Sequence, residues 1–554
     1  MSAVLGAAAP VTIARPRRSA GALGELWRLA RADVRERVRQ TGFLVSMLVM
    51  VWLAHGMMPG VSDGYRTFVV NSFYRPAYSA AWVGALSATL TSAYFMFVGF
   101  YLVKGSVERD RRTGVGQILA SAQVRGLRYL YAKALSNMVV LSLMAGVVLV
   151  TALIMQQVLG EDRQVDLLAT ASPFVLLTLP TAAFVSACAV FFDCVSFLRG
   201  GLGNIAWFFL IGILMASSGI DKQSASPFAD VMAGRTVTGV AWAELHRQHP
   251  SVSLREQDVS MGVNIDSRWK HKQVLTYPLR SIPWSGEAVA ARLMWLAIAA
   301  GVVVMASFVF DRFDRAPAPS SRARPQDVPR AAAALASAPR RAARRADELT
   351  VAPRSFAFPT LLRAEILLLL KGHSKWWYLG LAASLVTGTF VPLRGAREFV
   401  LPIASLWPVL VWSALGHRER RDNVAPVLFS APRPLGRLLV ASWCAGTVLA
   451  LAVFAPVLLR LAIAGEGGYL LGGVTGAAFI AALALASGVW TGSAKMFEAL
   501  YLMLWYLGPM HHMPELDYTG VTIARPLAFT LIEIAVTGAL LMLAWVGRAR
   551  QLRN

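Results

Sequence analysis

The sequence predicts an all-α polytopic membrane protein: two homologous six-helix halves, about twelve spans in all, with interfacial elbow helices. Three observations predict it. Of 554 residues, 56% are apolar and 15% charged, far from the balance of a soluble domain. Apolar runs close to the length needed to cross about 30 Å of hydrocarbon as helix recur along the chain. Two charged segments also resemble each other, VERDRRTGVGQILASAQVRGLRYLYAK (Val107 to Lys133) and HRERRDNVAPVLFSAPRPLGRLLVA (His417 to Ala441), each following the second apolar run of its own half. Barrel strands would alternate and these runs do not, so helices are expected to satisfy the backbone in lipid.

Residues 1–20 form an Ala/Pro/Arg-rich basic arm expected to be disordered. Leu23, Trp27, Ala30, Val34 and Val38 then mark one helical face, and Arg31, Arg35 and Arg39 another, which predicts a helix lying flat on the membrane surface. The first unit covers 21–315, with spans from Phe43 to Met58, Tyr78 to Val103, Tyr131 to Val158, Leu168 to Phe192, Leu202 to Ser217 and Ala288 to Phe310. Residues 218–287, with Trp242, Pro250 and Trp269, are expected as a small folded external insert between spans five and six. An Ala/Pro/Arg-rich cytosolic linker over 316–358 follows.

The second unit, 359–554, opens with PTLLRAEILLLLKGHSKWW, in which Arg363-Ala364-Glu365-Ile366 matches Arg31-Ala32-Asp33-Val34. Its spans run from Trp376 to Val391, Phe399 to Leu415, Leu438 to Ala464, Tyr469 to Trp490, Met496 to Leu507 and Leu527 to Val546. In the charged segments Glu108 aligns with Glu419, Ser121-Ala122 with Ser430-Ala431 and Arg128 with Arg437, with a two-residue gap. FFDCVSFLRGGLGNIAWFFL aligns with VWTGSAKMFEALYLMLWYLG, pairing Leu202 with Leu500 and Trp207 with Trp505. Three matches in one order describe a parallel repeat.

The net charge of +23 gathers in the arm, the twin segments, the linker and the tail, all cytosolic if both termini are inside. That is the positive-inside pattern, and it points to anionic membrane lipid and not to nucleic acid. Cys188, Cys194 and Cys444 sit in or beside spans, so no disulfide framework is expected. The first span, behind an arginine-rich helix and without a small-residue cleavage site, reads as a retained anchor.

No G-x-x-x-x-G-K-[ST] loop occurs, so ATP cannot be held in the usual way; G-x-S-x-G, H-E-x-x-H and C-x-x-C are absent too. His246 and His249, and the adjacent His511 and His512, lack a carboxylate or thiol cluster and read as solvated, with no metal and no catalytic residue expected. Arg460 and Glu533 are intramembrane charges and so functional candidates by default; an ion pair between their helices is expected ahead of contact with substrate.

An elbow helix, two spans, a charged loop carrying Glu-Arg and then Ser-Ala, four more spans and an external insert resemble the type-2 ABC-transporter permeases. The stretch PWSGEAVAARLMW followed by FDRFD (Pro283 to Asp314) is similar to the end of a six-span unit in its bacterial members. The likeness covers both halves, and Gln123 departs from the family's loop proline, which Pro432 keeps. The resemblance implies an exporter-type membrane subunit, not itself an enzyme, with an amphiphilic or hydrophobic substrate, in a bacterial cytoplasmic membrane. It implies two copies of a soluble ABC ATPase as partners, with ATP and Mg bound there and no cofactor on this chain. The coupling residues would be Glu108, Arg109, Asp110, Arg111, Ser121 and Arg128 after span two, and Glu419, Arg420, Ser430 and Arg437 after span eight. Glu108 and Glu419 are expected in water, so that reversing either charge spares the fold. Phe95, Phe97, Trp207, Phe208, Trp412, Trp505 and Tyr506 are candidates for the substrate path.

The alternative is an ion-coupled secondary carrier with twelve spans. KGSVERDRRTG approaches the G-x-x-x-D-R-x-G-R-R loop of the major facilitator family, but the spacing from Gly105 to Asp110 is one residue off and Thr113-Gly114 replace the basic pair. A membrane scaffold or lipid-handling enzyme is a third reading, with no supporting site.

Overall fold

The computed structural model describes residues 22–39, 41–60, 65–70, 74–121, 124–220, 230, 234–250, 259–265, 274–311, 313, 357–373, 375–422, 424–430, 433–510, 516–520 and 526–553. The readings made above on the basic arm, nearly all of the linker, much of the external insert, Ala122, Gln123, Ala431, Pro432, His511 and His512 lie outside the described residues.

Helix dominates. Among the described residues seven helices are long and apolar enough to cross a membrane, the makeup of a multi-pass membrane protein. The chain forms two compact units, and they are not the two sequence halves. The first comprises Met1–Phe95, Val103–Cys194 and Ser226–Arg312; the second comprises Met96–Leu102, Val195–Ala225 and Phe313–Asn554.

In the first unit, α1 (Ala22–Val38) is the elbow and α2 (Thr41–Gly56) follows it. The hairpin β1 (Tyr65–Val70) and β2 (Tyr74–Pro76) leads to α3 (Ala80–Tyr94), which continues through the π-helical turn Phe95–Gly99 and Phe100–Val103. Ser79 caps α3 by accepting from the Trp82 amide. The loop after it holds two short helices, α4 (Ser106–Arg112) and α5 (Val115–Ser121). Next come α6 (Gly126–Leu159) and α7 (Leu167–Cys194), each long and apolar enough to cross a membrane. Gly84 lets α3 press on α7: a Cβ there would lie 2.5 Å from the Thr170 carbonyl oxygen.

An unforeseen element qualifies the all-α expectation. The hairpin joins β3 (Val259–Ile265) and β4 (Leu275–Tyr277) of the external insert in one four-stranded sheet, ordered β3-β1-β2-β4. The β1 pairings are antiparallel and β2 with β4 is parallel. Between the strands of sheet and helix, Tyr277 donates its hydroxyl to the Ala241 carbonyl at 2.8 Å, fixing the sheet to the insert helix Gly234–Gln248. The final helix of this unit, Gly286–Val309, packs on α7.

Numbering in chain order, the insert helix is α9 and Gly286–Val309 is α10, because α8 (Gly201–Ile220) precedes them and clusters with the second unit. The second unit continues with the elbow α11 (Phe358–Leu370) and α12 (Lys375–Phe390). The run from Phe399 to Leu415, expected as one span, is broken into α13 (Leu401–Leu406), preceded by the π-helical turn Ala396–Val400, and α14 (Val409–Trp412). Pro408 has no N–H to donate to the carbonyl one turn back, which interrupts the ladder there although Trp407 keeps helical backbone angles. Loop helices α15 (Arg418–Arg421) and α16 (Ala425–Phe429) follow, then α17 (Leu435–Ile463), α18 (Gly467–Thr491), α19 (Lys495–Trp505) and α20 (Leu527–Arg553). Helices α17, α18 and α20 form the core of this unit, with the elbow α11 laid on α17.

Candidate functional site

In the first unit the elbow carries a buried carboxylate, Asp33, on the face turned toward α6. Arg109 of α4 hydrogen-bonds it, Lys133 Nζ donates at 2.8 Å, Ser136 donates its hydroxyl, and Arg37 Nε lies 3.1 Å away. Burial alone would raise its pKa; the charges of Arg37 and Lys133 and the bonds from Lys133 and Ser136 outweigh that and hold it at about 2. Asp110 stands beside it, accepting from Lys133 Nζ and the Tyr129 hydroxyl, each at 2.8 Å. Arg128 reaches back to Glu25 of the elbow at 3.0 Å.

The start of α4 is pinned separately. Asp193, the penultimate residue of α7, accepts from the amides of Gly105 and Val107 at 2.9 and 3.1 Å, supplying the cap that Gly105, at φ 93°, has no side chain to give. A cavity of about 280 Å³ remains between elbow, loop and α6, lined by Leu29, Asp33, Glu36, Arg109, Tyr129 and Lys133 among others.

The second unit repeats the tie with different residues. Glu365 of the elbow α11 is buried and accepts from Arg418 of α15 at 2.7 Å and from the Ser442 hydroxyl of α17 at 3.2 Å. So in each unit an elbow carboxylate holds an arginine from the loop helix and a polar side chain from the helix after the loop. The His417 imidazole beside this tie is pushed down in pKa by burial and by Arg421.

The two aligned glutamates differ. Glu108 is partly exposed and pairs with Arg112 one turn on, at 3.1 Å. Glu419 does not sit in water as expected: it is 2% exposed and accepts from Arg548 of α20 at 3.3 Å. The Arg548 guanidinium also lies over the Phe429 ring, 4.9 Å from its centroid. Arg420 is exposed and Arg111 and Arg437 half-buried. Ser121 and Ser430 donate to carbonyls of their own helices, those of Ile118 and Val427, at 2.8 Å.

Those two carbonyls belong to residues that the sequence reading passed over. Ile118 is 69% exposed and Val427 75%, each on a short loop helix three residues before its serine. Their spacing from the aligned serines was the signal available. Asp33 and Glu365 were likewise visible in the match of the two elbows, without a role attached.

The aromatic candidates serve mostly as packing. Phe95, Trp207 and Trp412 are completely buried, Trp505 and Phe208 nearly so, while Phe97 and Tyr506 are partly exposed. Trp207 stacks on Phe100 with centroids 4.2 Å apart and donates its indole N–H to the Met96 carbonyl at 2.8 Å. Trp505 donates to the Pro402 carbonyl at 2.7 Å. Both acceptors lie within or just after a π-helical turn, Phe95–Gly99 or Ala396–Val400, where widened winding presents carbonyls off the helical ladder.

Arg460 and Glu533 do not pair as expected. Arg460 donates to the Gly388 and Val391 carbonyls at 2.8 and 2.7 Å, closing the end of α12, and Glu533 accepts from the Thr475 hydroxyl at 3.3 Å. An arginine that finds unpaired helix-end carbonyls needs no carboxylate to leave it satisfied.

No protein-family model matches this chain, and no curated protein matches it.

Proposed function

We propose that the chain is the membrane permease subunit of an ATP-driven transporter of the type-2 ABC kind, exporting an amphiphilic or hydrophobic substrate. In this reading two homologous six-helix halves cross a bacterial cytoplasmic membrane twelve times, with both termini in the cytosol. The short or broken helices α2, α8, α12, α13 with α14, and α19 supply the crossings beyond the seven long ones. Two copies of a soluble ABC ATPase, carrying ATP and Mg, bind the loops after spans two and eight.

The observation that carries this reading is the recurring tie of elbow to loop, Asp33 with Arg109 and Glu365 with Arg418. A carboxylate buried under an interfacial helix and bonded to the loop makes elbow, loop and following helix one body. A push on the loop then tilts the helix that follows it, which is what a rigid-body transmission needs. Each loop also presents apolar side chains to solvent, Val115 and Ile118 in the first and Val424 and Val427 in the second, at the place where a soluble partner would dock. Exposed aliphatic groups on an arginine-rich loop suit a shallow apolar pocket with an acidic rim.

The test is biochemical. The purified chain should hydrolyse no ATP by itself and should bind two copies of a soluble ABC ATPase subunit, whose turnover the substrate stimulates. Hydrolysis by the chain alone would end this reading, as would transport that stops on collapse of the proton gradient while ATP is plentiful.

A further inference from the structure

Within the second unit, the first turn of α8 is built around a carboxylate from another helix. Glu498 of α19 is 1% exposed and accepts a hydrogen bond from the side-chain amide of Asn204, itself 3% exposed. Gly201 makes room for it: a Cβ there would lie 2.5 Å from Glu498 Oε1 and would also strike the Leu410 side chain. The same helical faces carry Phe208 and Trp505 two turns further on, with centroids 6.4 Å apart, and Phe208 also meets Tyr506 at 5.9 Å. The seam between α8 and α19 is thus closed by a polar contact at one end and aromatic rings above it.

Leu410 connects this end to the second loop. It belongs to α14, which runs through Gly416, at φ 79°, into the loop helix α15. That link is pressed on α18, because a Cβ at Gly488 would overlap the Leu415 carbonyl. A short rigid helix therefore has the loop at one end and a side chain wedged against Gly201 at the other.

We infer that Glu498 on the first turn of α8 is the latch of the α8/α19 seam, and that α14, through Leu410, is the lever by which the second loop releases it. A buried carboxylate beside the start of α8 is stable where it sits, favoured by the positive end of that helix, and costly to leave half-paired. Such a contact gives two discrete states in place of a continuous range of openings. The inference rests on the permease reading only for what pushes the loop; the latch itself is a property of this unit and can be measured without any ATPase.

The experiment uses the full chain in native membranes, with Cys188, Cys194 and Cys444 replaced and a single Phe208→Cys reporter. The measurement is the rate of labelling by a small thiol reagent. The parent should label slowly, and Glu498→Ala and Asn204→Ala should each label at least tenfold faster. Glu498→Gln keeps an oxygen that accepts from Asn204 and should stay slow. Val453→Cys, buried against α17's neighbours, reports unfolding in the same backgrounds; if Glu498→Ala exposes it, Asn204→Ala and Glu498→Gln decide the outcome. Parent-like labelling in Asn204→Ala overturns the latch, and fast labelling in Glu498→Gln does so too. Leu410→Ala should also speed labelling, and a parent-like rate there overturns the lever.

Discussion

Arg548, near the end of α20, sets its guanidinium 3.3 Å from the carboxylate of Glu419 in the second loop, and both side chains are at least 96% buried. The aligned Glu108 pairs with its own helix neighbour, Arg112, at 3.1 Å and is partly exposed. Equivalent positions in the two loops therefore carry different energetic weight.

Breaking the buried pair should cost about 3–5 kcal/mol, because either partner alone is an uncompensated buried charge. Arg548→Ala and Glu419→Lys are expected to lower the unfolding midpoint in detergent by many degrees, whereas Glu108→Lys should shift stability by less than about 0.5 kcal/mol. Thermal melts of the three variants compare them directly; equal midpoints for Glu108→Lys and Glu419→Lys would contradict the buried pair.

Asp33 gives a pH signature. Its pKa is lowered from 3.8 to about 2 in the folded protein, so the unfolded chain binds its proton first as pH falls. The stabilisation is complete above about pH 4 and is lost as pH drops toward 2, and it amounts to roughly 2 kcal/mol. Asp33→Asn should therefore be less stable than the parent at pH 6, with the gap narrowing by about that amount at pH 2. A gap of the same size at both pH values would mean that Asp33 is not held ionised by Arg37 and Lys133.

The exposed apolar side chains distinguish docking from decoration. Ile118→Asp and Val427→Asp should leave the unfolding midpoint unchanged, since neither side chain packs inside. Each should weaken capture of the partner ATPase at least tenfold, read by co-purification at fixed ATPase concentration. Unaltered capture in both would remove these two side chains from the interface.

The indole bonds should matter in proportion to burial. Trp207→Phe keeps the stacked ring over Phe100 but leaves the Met96 carbonyl without that donor, at a cost of about 1–3 kcal/mol. Trp505→Phe should behave alike through Pro402. Chemical denaturation of the two variants measures this, and no loss in either would show the wide π-helical turns to be indifferent to their indole partners.

Much of the helical frame was legible because length and apolarity alone mark a membrane helix. The elbows were legible from Leu23, Trp27 and Ala30 set against Arg31, Arg35 and Arg39. The sheet was not: Tyr74–Pro76 and Leu275–Tyr277 are three residues each and pair across some two hundred residues of chain, which no local pattern records. Pro402 and Pro408 did announce the break in the run from Phe399 to Leu415, but apolar composition outweighed them in the reading. The membership of α8 in the second unit comes from contacts such as Asn204 with Glu498 and Phe208 with Trp505, between residues some 294 apart in sequence. At the loops the sequence marks the charged residues only as a group. Which of them face water was hidden, because burial of Glu419 is decided by Arg548.

That last dependence bears on how the protein is made. Glu419 leaves the ribosome 129 residues before the arginine that neutralises it. Until the end of α20 reaches the loop, the carboxylate lacks the guanidinium it is buried against, and that side of the second loop has nothing to pack on. Maturation of that loop is therefore a late, post-insertion event, while the first loop, whose Asp33, Arg109, Lys133 and Asp193 have all been synthesised by residue 193, can set much earlier. A defect in inserting the final helix would be displayed at the second loop, as a lasting exposed charge that membrane quality-control proteases can recognise.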